Sequence, residues 1–280
     1  MGTEKATRMI DFAVERVIIA CDAVAENRAG IEAAANLAAL WKAALHALLL
    51  EDESLLNLAG LPFARQVGLG GSVGQGFEEA DIVRHFEAHM RRVREEIEKA
   101  ARAHAVASSV SVVRGRPSAV ELPIDEHDLL VIEETTRPFG GQFRLASRWL
   151  SAALQVRRPV LLVRSRSQPA RRVVSVVQAK VPSSLRAAAA AAKLASAAGL
   201  PLILRIVDEA ASPAEVRAWV AQISPGLGTQ CRIETAARGA WPFADGEDSL
   251  LVVDADPAVN ELAVLKALVA RSRADILYVR

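Results

Sequence analysis

The chain has little of several things, and each shortage excludes a class. Two cysteines in 280 residues, Cys21 and Cys231, rule out a disulfide framework; both lie in apolar, strand-like runs, where buried free thiols are expected. Thirty-four Lys plus Arg against 33 Asp plus Glu leave no excess of either sign. No global field therefore draws the protein to nucleic acid or to an anionic membrane, and neither is expected as a partner. Long uninterrupted apolar runs are also missing. The stretch LRAAAAAAKLASAAGLPLIL carries Arg186 and Lys193 and breaks at Gly199 and Pro201, which reads as helix, turn and strand rather than a membrane span. The first residues, MGTEKATRMIDFAVERV, have scattered charges and no secretory apolar core, so a cytoplasmic location is expected.

What is present is one pattern written twice. RVIIACDAVAENRAGIEAAANLAALWKAALHALLLED, from Arg16, aligns without a gap with RVVSVVQAKVPSSLRAAAAAAKLASAAGLPLILRIVD, from Arg172. Farther on, SVVRG (111–115) matches TAARG (235–239), DLLVIE (128–133) matches SLLVVD (249–254), and RRPVLLVR (157–164) matches RADILYVR (273–280). Chance likeness of Ala-rich helices would not reproduce that order, so the chain is a duplication. The halves divide as residues 1–164, a short polar linker at 165–171, and a degenerate copy at 172–280. The first copy carries a long insertion at about 53–76 that the second lacks.

Continuous Val/Ile/Leu strands alternate with helices in both copies, which predicts α/β architecture with parallel sheets covered on both faces. A helix from about Phe77 to Ala105 follows from apolar positions Ile82, Phe86, Met90, Val93 and Ile97 at helical spacing. Each half thus predicts a doubly wound domain of five parallel strands, in which ligands bind at the carboxyl ends of the strands.

These features resemble the universal stress protein family in its tandem form. RVIIACD looks like the family's first strand, ending in an aspartate; ALHALLLED resembles its second. DLLVIEETTRPFGGQFRLASRWLSAALQVRRPVLLVR resembles its last strands and the loop and helix between them. The resemblance covers nearly all of residues 16–280. It implies two adenine nucleotide alpha hydrolase-like domains packed as an intramolecular pseudo-dimer through PVLLVR and ILYVR, with a further homodimer as an additional option. Nucleotide-binding members carry G-x2-G-x9-G-S/T after the fourth strand, where glycines let backbone N–H groups approach phosphate. Here those glycine positions hold Glu133, Thr136 and Ala146; Ser147 matches, and Gly140 and Gly141 are displaced. Asp22 matches the aspartate ending strand one. Glu133 would face Asp22 across the crevice, while Arg137, Arg144 and Arg148 are placed to reach phosphate. In the second half Gln178 replaces the aspartate, and the interval before the last strand is about five residues shorter.

The function this implies is non-enzymatic: a stress-response or regulatory protein acting through binding or protein contacts, with impaired nucleotide binding and no cofactor. Two alternatives stand beside it. One is an ATP- or AMP-binding protein using only the first half, through Asp22, Thr136, Arg137, Arg144, Ser147 and Arg148. The other is an adaptor that docks a protein partner through the 53–76 insertion. An unrelated small ligand in the first half is a lesser option. Other motifs carry less. VGLGGSVGQGF (67–77) has no Walker lysine and is expected to be a flexible stretch. His85 and His89 share a helix at four-residue spacing, but no third metal ligand is evident. His46, His104 and His127 suggest no nucleophile–base pair, and the arginines between 157 and 172 are expected on a solvated edge.

Overall fold

The computed structural model describes residues 12–22, 27–52, 65–67, 73–76, 79–115, 123–134, 158–164, 169–177, 182–206, 230–235, 248–256 and 271–279, with single positions between them. In the first half the elements are β1 (Arg16–Asp22), α1 (Arg28–Trp41), β2 (Ala44–Asp52), β3 (Arg65–Val67), β4 (Val73–Gly76), α2 (Glu79–Ala103), β5 (Ser108–Gly115), β6 (Asp128–Glu134) and β7 (Val160–Arg164). The second half contributes β8 (Arg172–Val177), α3 (Pro182–Ala198), β9 (Leu202–Ile206), β10 (Cys231–Thr235), β11 (Ser249–Asp254) and β12 (Asp275–Val279).

Ten of these strands form one sheet in the order β10-β9-β8-β11-β12-β7-β6-β1-β2-β5. Read outward from the middle, the two halves have the same order. Every neighbouring pair is parallel except the central one, β7 with β12, which is antiparallel. There Leu161 pairs with Leu277, its own counterpart in the repeat, flanked by Val160 with Tyr278 and Leu162 with Ile276. A pseudo-twofold axis through that pair relates the halves, which is the predicted joining of PVLLVR to ILYVR. Apolar strands buried on both faces make this seam. One core lies under α1, α2 and α3; a second, on the opposite face, includes Leu130, Leu162, Leu251, Ile276 and Tyr278. Both cores run across the junction without interruption.

The gapless alignment needs one correction. Val17 pairs with Leu45, whereas its counterpart Val173 pairs with Leu202 rather than Pro201. The helix ends show the same one-residue step. Lys42 and Gly199 take the left-handed conformation (φ 55° and 65°) and close equivalent turns, with Ala43 N–H on the Ala38 carbonyl (2.8 Å) and Leu200 N–H on the Ala195 carbonyl (2.9 Å). Gly199 adopts that conformation without a Cβ penalty; Lys42 does so as a side-chain residue. The same step shifts SVVRG against TAARG, since Ser108 and Cys231 are the equivalent partners of Leu45 and Leu202. Elsewhere the equivalence holds, and the shortened interval in the second half is real: Leu130 pairs with Val160, Leu251 with Ile276.

Three further expectations change. VGLGGSVGQGF is not simply a flexible stretch, because its Val73–Gly76 segment pairs with Arg65–Val67 in a separate two-stranded antiparallel sheet within the insertion. Cys21 is buried, but Cys231, on edge strand β10, is only half-buried. Of the arginines between 157 and 172, Arg171 is exposed as expected, but Arg164 is not on a solvated edge. Arg164 forms an ion pair with Glu134, and its backbone N–H donates to Asp275 Oδ1 at 2.7 Å across the junction.

Candidate functional site

In a parallel sheet of this order the site lies where β1 and β6 end side by side, under the N-terminus of the helix that follows β1. Ala20 pairs with Ile132, so Asp22 and Glu133 leave the sheet at one edge. Asp22 closes β1 as expected, its backbone opposite Leu50. Thr136, Arg137, Arg144, Ser147 and Arg148 lie outside the described residues.

Glu133 is where the site departs from a phosphate cradle. The residues Leu129, Val131 and Glu133 alternate toward the face on which α1 packs, which carries the carboxylate to the start of that helix. Helix α1 arrives there without a local cap: Asn27 at the N-cap makes no side-chain capping bond, and no acidic residue occupies the first turn. The third helical residue is Gly30, whose N–H is the one an N-cap side chain would normally take. That N–H donates instead to Glu133 Oε2 at 2.7 Å, from 103 residues away in sequence. A Cβ on Gly30 would lie 3.0 Å from both Glu133 Cβ and Ile19 Cδ1, so glycine is what admits the glutamate so closely. The carboxylate thus fills the anion position of the helix terminus.

The second half repeats this with different residues. Asp254 occupies the position of Glu133 on β11 and is buried. Its Oδ2 accepts from the Ser183 hydroxyl at 2.6 Å in the first turn of α3, and its Oδ1 accepts from the Asp256 N–H at 2.8 Å. Burial raises the Asp254 carboxyl above its usual range; the bonds from Ser183 and Asp256 N–H pull the other way, as does Arg186, and the Asp256 charge adds to the rise. Neither Gly30, Ser183 nor Asp254 stood out in the sequence. The signal was there: DLLVIE and SLLVVD both end in an acid at the same place.

At the opposite, amino edge of the sheet another duplicated position acts as a clamp. Arg16 Nε and Nη2 donate to Asp128 at 2.9 and 2.6 Å, and Nη2 also reaches Asp125 at 2.9 Å. Burial alone would raise the Asp128 pKa, but bonds from Arg16 and the Asp125 N–H prevail and lower it. In the second half Arg172 meets the Ser249 hydroxyl (2.8 Å) and Asp248 (3.1 Å).

Sequence reasoning found no serine–histidine pair, but register supplies one. His46 lies opposite Ser109, and its two ring nitrogens sit 2.8 Å from the hydroxyls of Ser109 and Ser111. Burial, then Arg16, lowers the His46 pKa, with Asp128 opposing. Each ring nitrogen meets a hydroxyl, so no carboxylate orients this imidazole from behind as in a hydrolytic triad. His104 instead pairs with Glu32 at 2.8 Å. His89 is half-buried on α2, and no group of three His, Cys, Asp or Glu residues able to hold a metal occurs among the described residues. No described helix is long and apolar enough to cross a membrane.

No protein-family model matches the chain, and no curated protein matches its sequence. Solved structures do match. A universal stress protein from Archaeoglobus fulgidus DSM 4304 superposes over 97% of this chain and 98% of its own, with a TM-score of 0.62 at 12% identity. A functionally unknown protein from Pseudomonas aeruginosa PAO1 (98% and 94% covered, TM-score 0.54, 12% identity) is similar. So is a candidate universal stress protein from Pseudomonas aeruginosa UCBPP-PA14 (97% and 94%, TM-score 0.52, 12% identity). The chain therefore has the tandem universal stress protein fold.

Proposed function

We propose that the chain is a non-enzymatic regulatory protein of the universal stress protein type, acting in the cytoplasm through protein contacts, with its nucleotide position closed by its own carboxylate. The observation behind this is the Gly30 N–H bond to Glu133 Oε2. A phosphate entering there would have to displace a charge-assisted bond of about 1.5–3 kcal/mol. If Glu133 stayed within about 4 Å, the like charges would add up to about 4 kcal/mol of repulsion at an effective dielectric near 20. Together the two terms remove most of a micromolar affinity, which corresponds to about 8 kcal/mol. The second half has the same obstacle in Asp254, and Gln178 in place of Asp22.

The deciding experiment is an ATP titration of the intact chain and of Asp22→Ala. No saturation up to millimolar ATP is expected for either. Saturable binding well below a millimolar that disappears in Asp22→Ala would replace this function with ATP or AMP binding by the first half. For the protein contact, the insertion is favoured by its own two-stranded sheet, β3 with β4, set between β2 and α2. Capture of a partner by the intact chain should be lost when residues 53–76 are removed, and retention would locate the contact elsewhere.

A further inference from the structure

We infer that the groove between α2 and the outer strands β2 and β5 binds an amphipathic anion, specifically a medium-chain aliphatic carboxylate. Its floor and walls include Val83, Met90 and Val112, and its rim carries Arg91, Arg94 and Arg114 with Glu51 and Glu87. The cavity is about 510 Å³, within the range of small-molecule sites. Two observations set it apart from the rest of the surface. Val83 (39% exposed) and Val112 (44%) are the large hydrophobic side chains left exposed among the described residues, and both face this groove. The two valines are gathered in one concave site instead of scattered over the surface, which is the arrangement of a small-molecule pocket with an apolar lining and a few polar groups.

Charge decides what kind of ligand. Glu51 is already taken by Arg114, whose Nε lies 2.5 Å from Glu51 Oε2. Arg91 and Arg94, one turn apart on the exposed side of α2, form no ion pair among the described residues. Among the described lining residues one carboxylate, Glu87, stands against them, so the unpaired charge these residues bring to the rim is positive. Two guanidinium groups side by side suit a carboxylate head, which they hold through paired N–H bonds. An alkyl tail then covers Met90, Val83 and Val112. The apolar groove at the junction of the halves, lined by Leu37, Leu161, Leu194 and Leu250, lacks this feature: its arginine, Arg164, is paired with Glu134.

The test is calorimetric titration of the full chain with decanoate, decanol and decyltrimethylammonium below their aggregation concentrations. Decanoate should bind saturably with one site, and the neutral and cationic analogues at least tenfold more weakly. Arg91→Gln with Arg94→Gln should weaken decanoate at least tenfold; both side chains are exposed, so the fold is retained and circular dichroism verifies it. Val112→Asp should also abolish binding by charging the floor. Absence of saturable decanoate binding, equal affinity for the cationic analogue, or full affinity in the double variant would overturn the assignment.

Discussion

Replacing Glu133 with alanine tests the central contact directly. The Gly30 N–H then loses the Glu133 acceptor at a helix terminus whose N-cap, Asn27, makes no side-chain capping bond and whose first turn holds no acid. A hydrogen bond to a charged group contributes about 1.5–3 kcal/mol, and a carboxylate at a helix N-terminus adds about 0.3–1 kcal/mol. Water reaches the partly buried donor, so the sum sits toward its lower end, about 2 kcal/mol. For a chain of this size that is a fall in Tm of about 4–8 °C. Glu133→Gln keeps an acceptor oxygen but no charge, and should cost about half as much, near 1 kcal/mol. Urea unfolding of the three proteins gives these differences from the midpoints, provided the slopes agree. The vacated N–H also becomes available to an external anion: ATP at ten times its dissociation constant would restore about 1.4 kcal/mol to Glu133→Ala. The wild type should gain nothing measurable from the same ATP. If Glu133→Ala unfolds within about 0.5 kcal/mol of wild type, or if ATP stabilises both equally, the carboxylate is not filling the anion position.

Other consequences follow from the duplicated clamps and carboxylates. Arg16→Met strands the Asp128 carboxylate, whose side chain is 3% exposed, and should cost about 3 kcal/mol. Arg172→Met removes a pair with Asp248 that is 43% exposed and should cost about 1 kcal/mol, so equal losses in urea unfolding would refute the asymmetry. The two buried aspartates should impose opposite pH slopes. Asp128 binds its proton less tightly when folded, so its stabilisation is present above the unfolded carboxylate pKa of about 4 and is lost as pH falls through its lowered native value. Asp254 binds its proton more tightly when folded, so its contribution declines as pH rises from about 4 through its raised native value. Asp254→Asn should therefore flatten the urea midpoint on the neutral side of about pH 4, and Asp128→Asn on the acid side; unchanged slopes would refute both.

The sheet was legible because its information is local. The four central strands, β6, β7, β11 and β12, each carry a continuous apolar run, and DLLVIE with SLLVVD, or PVLLVR with ILYVR, keeps its place in the two copies. Pairing of the last strands then follows from the repeat, and the Leu161–Leu277 pair realises it. The one-residue step was hidden because it falls between β8 and the turn at Gly199, a segment dominated by alanines. Residues 187–192 are all Ala, and a run of identical side chains offers no landmark by which to align a helix. Only backbone geometry locates the step, through the left-handed turns at Lys42 and Gly199, and a lysine in that role is not a recognisable stop signal. Arg164 was misplaced for a related reason: strand alternation says which face it takes, but its partner Glu134 lies on a neighbouring strand.

At the carboxyl edge of the sheet the sequence supplied the carboxylate but not its partner. Glu133 was singled out from the resemblance as standing in place of a glycine, but the group it meets, the Gly30 N–H, depends on where α1 docks, which no local pattern encodes. The repeat supplies the physical reason for the contact. At this edge the halves differ in nearly every other respect: Asp22 against Gln178, Asn27 against a proline-led first turn, and an interval five residues shorter in the second half. Both nevertheless direct a strand carboxylate at the first turn of the following helix. Neither helix has an acid of its own in that turn. Unmet N–H groups at a helix start carry partial positive charge, and beneath them the parallel strands leave little access to water. An anion is needed there, and it can come from a bound phosphate or from the chain. Here the chain provides it twice, with side chains of different length and different donors. On the proposed function, the urea midpoint of the intact chain is expected not to move on addition of phosphate or ATP, and a rise with either would refute the closure by Glu133.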